Sequence, residues 1–167
     1  MNNKYWVKLL ALMVCFSSNF SYAHVYQTPI HTIFLVRHAE RAVSDDLTDK
    51  GRVRAIYLAK MLRDESISKL YSTDYNRTQL TITPTSIDQH VPITTYDSNQ
   101  DLLGLLEHDF KQKNAQTMVI VGHRNTLAEL IFELGGPALE DIPETEFDNL
   151  FVITKSEENV GFVRLHY

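Results

Sequence analysis

Two histidines stand at the ends of apolar runs: His38 follows Ile33-Phe34-Leu35-Val36-Arg37, and His123 follows Met118-Val119-Ile120-Val121-Gly122. Arg37 adjoins the first, and Glu40 and Arg41 come just after it. A buried strand takes Ile, Val, Leu and Phe, whereas Arg and Glu almost never go inside unpaired. The charges are therefore expected at the strand's carboxyl end, where open α/β sheets place their ligand crevices. If the two runs are neighbouring strands, His38 and His123 meet there beside Arg37. Arg77, near the start of a later helix, is expected at the same rim. Two guanidinium forks and two imidazoles suit a phosphate dianion, because the forks pair with phosphate oxygens.

The surrounding pattern supplies the elements to hold these groups. Thr32 to Val36 reads as a central strand, and from Leu47 to Asp64 the period turns helical, with Val53, Ile56, Tyr57 and Met61 recurring and Thr48 or Asp49 placed to cap. Lys69 to Ser72 reads as a second strand, followed by a helix that contains Arg77 and ends before Pro84. Gln100 to Lys113 is expected to be a helix with Leu102, Leu103, Leu106 and Phe110 on one face. Met118 to Val121 repeats the layout of the first strand. Thr126 to Leu134 reads as a helix stopped by Gly135-Gly136-Pro137, and Leu150 to Thr154 with Val160 to Leu165 as a hairpin. This alternation predicts a single three-layer α/β domain: a mainly parallel central sheet, helices on both faces, and one late antiparallel element.

"LVRHAE" at Leu35 to Glu40, "LTDKGRVRA" at Leu47 to Ala55, "YSTDYNRTQLT" at Tyr71 to Thr81 and "VGHRNT" at Val121 to Thr126 occur in an order and spacing that resembles the histidine phosphatase superfamily, also called phosphoglycerate mutase-like. The resemblance implies that His38 is the nucleophile and that Arg37, Arg77 and His123 hold the phosphoryl group. Elementary chemistry agrees with those roles. A neutral imidazole is nucleophilic, nearby arginines disfavour its protonated form, and the same arginines stabilise charge on the transferring group. No metal or other cofactor is required. The cycle implied has His38 form a phosphohistidine that water then hydrolyses, with an acid to protonate the leaving oxygen. The family commonly places a carboxylate between the second arginine and the second histidine. Its usual form is not reproduced here, which leaves Asp97 as first choice, then Asp101, with Glu107 third.

Other residues divide between support and substrate. Arg54 and Arg124 depart from the family pattern; Arg54 reads as a solvated charge, and Arg124 as a contact to an anionic part of the substrate. Glu40 and Arg41 fit a supporting ion pair or a substrate contact equally. His24, His31, His90, His108 and His166 have no metal-ligand spacing and read as surface residues.

Composition limits the setting. Lys4 and Lys8 precede the apolar stretch Val7 to Phe16 and the small-residue site Ser21-Tyr22-Ala23, which reads as a secretory signal peptide over residues 1–23 ahead of a histidine phosphatase domain over 24–167. The apolar core falls short of the roughly 20 residues of a spanning helix, so no stable membrane insertion is expected after cleavage. Cys15, the only cysteine, leaves with the signal unless it is lipidated. Losing Lys4 and Lys8 takes the 16 basic residues to 14 against 21 acidic, a formal charge of −7, which argues against nucleic-acid binding. The reading is a periplasmic or secreted phosphatase acting on a phosphorylated small molecule, glycan or phosphoprotein. Its rivals are a noncatalytic phosphate-binding module, a phosphoglycerate mutase-type phosphotransferase, and a metal-binding envelope protein.

Overall fold

The computed structural model describes residues 28–167; the expected signal peptide and Cys15 lie outside them. Ten elements alternate and then end in strands: β1 (His31–Arg37), α1 (Asp49–Met61), β2 (Lys69–Thr73), α2 (Asn76–Gln89), β3 (Ile93–Tyr96), α3 (Asn99–Phe110), β4 (Thr117–Gly122), α4 (Arg124–Glu133), β5 (Asn149–Lys155) and β6 (Val160–His166). They form one six-stranded sheet in the order β3-β2-β4-β1-β5-β6. The first four strands run parallel, and β5 and β6 close the far edge antiparallel. This is the α/β domain expected from the alternation.

Period-two alternation in β1 feeds both layers. Ile33 and Leu35 join Leu102, Leu106, Leu127 and Ile131 in one core under α3 and α4. Phe34 and Val36 join Leu58, Leu62 and Ile82 in the other, under α1 and α2. Burying the sheet on both faces is what makes its central strands continuously apolar.

Three local expectations are corrected. The helical period of Val53, Ile56, Tyr57 and Met61 is real, but Val53, Ile56 and Tyr57 are 67, 50 and 53% exposed, and α1 buries Gly51, Ala55, Leu58 and Ala59 instead. The small residues let the helix approach closely: a Cβ on Gly51 would stand 2.3 Å from the Glu40 carbonyl oxygen. Second, α2 runs through Pro84 to Gln89. The lost backbone bond is offset by burial of Thr81, Ile82 and Thr85 on both sides of the proline. Third, His31 is 3% exposed, its Nδ1 accepting from the Gln116 amide at 3.1 Å, so it is not a surface histidine. β3, a four-residue edge strand, has no counterpart in the sequence reading.

Candidate active site

Pairing of β1 with β4 brings Arg37 opposite Gly122, and the His38 amide donates to the Gly122 carbonyl at 3.0 Å. Both strands therefore release their histidines at one point. The rings are 5.5 Å apart, edge to face. A cleft of about 400 Å³ opens above them, lined by Arg37, His38, Arg41, Tyr75, Arg77, His123, Arg124, Asn125 and Glu144.

Hydrogen bonds select the tautomers. His38 Nδ1 lies 2.8 Å from the Ala39 carbonyl oxygen; a carbonyl only accepts, so Nδ1 carries the proton and Nε2 keeps its lone pair. His123 Nδ1 faces Arg77 Nη2 at 3.4 Å and its Nε2 faces Thr73 Oγ1 at 3.2 Å. Arginine only donates, so Nδ1 accepts and Nε2–H points at the threonine. Burial, assisted by Arg37 and Arg77 and opposed by the Ala39 hydrogen bond, lowers the His38 pKa to about 4. Burial and Arg77 lower that of His123 to about 4 as well, against the opposing charge of Asp45. Both imidazoles are neutral at neutral pH.

The two arginines are anchored from behind. Arg37 Nη1 donates to the carbonyls of Pro143, Glu144 and Glu146 at 3.1, 2.8 and 2.9 Å, and its guanidinium lies 4.1 Å from the Phe147 ring centroid. Arg77 pairs through Nη1 with Asp45 and lies 4.2 Å from the Tyr75 ring centroid. The Nε of each arginine is buried and has no hydrogen-bond partner among the described residues.

The structure thus brings Arg37, His38, Arg77 and His123 together, with Arg41 and Arg124 on the same walls. It does not bring in Asp97, Asp101 or Glu107. Asp97 is exposed just past the end of the edge strand β3, with two strands between it and β1; Asp101 accepts from the Ser98 hydroxyl at 2.9 Å in the first turn of α3; Glu107 is exposed farther along that helix. The carboxylate that does line the cleft is Glu144, 3.3 Å from Arg124 Nη2. No spacing signal pointed to it, because it comes from the irregular segment between α4 and β5.

Glu40 and Arg54 also resolve. Arg54 is not a solvated charge: it forms a two-pronged pair with Glu40 at 2.9 and 2.8 Å, and its Nη1 donates to the Tyr167 backbone carbonyl at 2.8 Å. The two side chains are only 15 and 13% exposed. Glu40 therefore ties the loop after His38 to α1, and its ion pairs are with Arg54 and Lys50 rather than Arg41.

Residues 33–102 match the family model of the histidine phosphatase superfamily, branch 1. No curated protein sequence matches the chain. Among solved structures, a mycobacterial glucosyl-3-phosphoglycerate phosphatase in complex with VO3 is similar at 12% identity over 82% of this chain and 98% of that one, with a TM-score of 0.62. SixA of Agrobacterium tumefaciens gives 18% identity, 81 and 98% coverage and a TM-score of 0.61. A phosphoglycerate mutase of Plasmodium falciparum gives 16%, 83 and 91%, and 0.57. At such identities the likeness is one of fold.

Proposed function

We propose that the chain, whose residues 33–102 match the family model of the histidine phosphatase superfamily, belongs to that superfamily and hydrolyses phosphate monoesters through a phosphohistidine, without a metal. The observation that carries this is the neutral His38, its Nε2 without a hydrogen-bond partner among the described residues and beside two anchored arginines whose Nε groups likewise have none among them. Nε2 attacks phosphorus and the phosphorus–oxygen bond to the alcohol breaks. Arg37, Arg77 and His123 hold the three remaining oxygens where charge gathers. In this reading Glu144, a residue of the cleft lining, protonates the leaving oxygen and then takes a proton from the water that cleaves the phosphohistidine, returning His38 and phosphate. Arg41 and Arg124, on the outer walls, contact an anionic part of the leaving group.

The substrate is an extracytoplasmic phosphate ester, on the reading of residues 1–23 as a signal. The cleft is open and polar, which suits a small molecule, a glycan or a phosphoprotein side chain alike. The purified chain, assayed with EDTA against a panel of phosphate monoesters alongside His38→Ala, tests the reaction. Turnover that survives chelator and disappears in the variant is expected. Phosphate binding without turnover of any ester would replace the enzyme by a binding module. Fractionation of cells producing the chain tests the location, and recovery in the cytoplasm alone would overturn it.

A further inference from the structure

We propose that Asp45 is a positioning residue of this cleft, holding the Arg77 guanidinium from behind so that its remaining nitrogens face the phosphoryl group. The inference rests on the phosphoryl-transfer reading of the site. Asp45 belongs to the loop between β1 and α1, and its two oxygens do different things: one accepts from Arg77 Nη1, the other from the Asn76 backbone amide at 2.8 Å. The carboxylate is not among the groups lining the cleft. It backs the wall rather than forming it.

Helix α2 explains why that contact matters. Its N-cap, Tyr75, makes no side-chain capping bond, and Asp45 supplies from another segment an acceptor for one of the first-turn amides that have no partner within the helix, that of Asn76. The same carboxylate then reaches Arg77, one residue further along. A guanidinium is a planar fork, so holding Nη1 and covering one face with the Tyr75 ring determines where the other nitrogens point. Nη2 meets His123 Nδ1, and Nε is left buried and unpaired among the described residues. The neighbouring Asp46 has another duty: it pairs with Arg52 at 2.7 Å and accepts from its own loop at Leu47.

Partners of this kind, which touch a ligand-holding group and not the ligand, cost about 10–100-fold when removed from metal sites, and the same scale is expected here. The test uses the full chain with Asp45→Ala, Asp45→Asn, Arg77→Ala and the double variant Asp45→Ala/Arg77→Ala. Turnover of para-nitrophenyl phosphate, vanadate affinity and thermal midpoint are read together. Asp45→Ala is expected to lose tenfold or more in kcat while melting within a few degrees of the parent. Asp45→Asn, which keeps an acceptor for Asn76 but no charge for Arg77, should fall between. At neutral pH, well above the acid limb, the double variant should be no worse than Arg77→Ala, because there Asp45 acts on turnover through that side chain. A structural role does not move the pH profile, but removing the Asp45 charge should shift the acid limb of kcat/KM to lower pH. His123, which faces Arg77, Arg37, His38, Tyr75 and Asp45, would lose the opposing negative charge of Asp45.

Wild-type turnover in Asp45→Asn, or losses that multiply independently in the double variant, would overturn the proposal. If Asp45→Ala does not fold, Asp45→Asn decides alone. If the parent turns over no ester, the phosphatase reading has failed separately. Vanadate affinity then carries the same comparison, with non-additive losses for Asp45 and Arg77 expected and independent ones overturning it.

Discussion

His38 and His123 stand 5.5 Å apart because the preceding residues, Arg37 and Gly122, are paired across β1 and β4. A backbone register thus sets the distance between two chemical groups separated by most of the domain. Their shared burial makes both imidazoles neutral, and several consequences can be measured.

Acid sensitivity should be set well below the ordinary histidine range. His38 attacks as a neutral base, and burial with its arginine neighbours puts its pKa at about 4. The limb that the histidines impose on kcat/KM should therefore lie near pH 4, where the pair takes up protons, once the ester's own second ionisation, about pH 6, is divided out. Stability follows the same sign. Between pH 6.5 and 4 the unfolded histidines bind protons that the folded ones refuse, so stability drops as pH falls through that window. A steep kinetic limb remaining at pH 6.5 after that division would contradict the assignment.

Proton transfer separates two carboxylates. Glu144→Gln should lower kcat by about 10²–10⁴-fold if Glu144 handles the leaving-group proton, with less effect on aryl esters whose leaving groups need no acid. Asp97→Asn, altered at an exposed position outside the cleft lining, should retain parental kcat. The reverse pattern, read from turnover of an alkyl phosphate, would return the role to Asp97.

Selectivity should reside in the outer arginines. Arg124 is held by Glu144 and Asp141 at 3.3 and 3.8 Å, and Arg41 lines the same cleft. In Arg41→Ala/Arg124→Ala, kcat/KM should fall more for phosphate esters carrying a second anionic group than for matched neutral ones. Equal losses on both substrate types would remove these residues from specificity.

Glu40 is expected to act on stability. Burial alone would raise its pKa, but the Arg54 hydrogen bonds and Lys50 bring it down to about 2. Its contribution is present above pH 4.5 and is lost as pH falls from there toward 2. Glu40→Gln leaves Arg54 without its counter-charge, a change that costs about 3–5 kcal/mol for buried pairs. Chemical denaturation at neutral pH checks this, and a loss under 1 kcal/mol would mean that solvent screens the pair.

Gly51→Ala should be destabilising although Gly51 lies in a helix, where alanine is ordinarily the better residue. Its added methyl would meet the Glu40 carbonyl oxygen at 2.3 Å, and that oxygen already accepts from the Thr48 amide. A loss of about 1–3 kcal/mol is expected from overpacking. A gain, seen as a higher thermal midpoint, would show that the loop after His38 yields easily.

Several features were legible in the chain itself. The apolar runs ending in His38 and His123 marked the two central strands, and Thr48 accepts from the Gly51 amide as the N-cap of α1. The "YSTDYNRTQLT" stretch put Arg77 in the first turn of a helix. These are local signals, in which pattern and backbone geometry agree residue by residue. Less local features were misread. The apolar period of α1 marked a helix correctly but pointed to the wrong face, because close approach to Glu40 favoured the side carrying Gly51, Ala55 and Ala59. Arg54 looked solvated because nothing in its neighbourhood of sequence says that Glu40 and Tyr167 fold onto it.

What the sequence by itself determined is the alternation of elements and the residue types delivered at two strand ends, since both follow from which side chains can be buried and where a strand must stop. Tertiary structure alone decided which carboxylates meet those groups. Asp45 and Glu144 reach the site from irregular segments, one backing Arg77 and the other lining the cleft, while Asp97 lies just past an edge strand, outside it. Such segments have no period to read; their positions follow from strand order and from the arginines that draw them in.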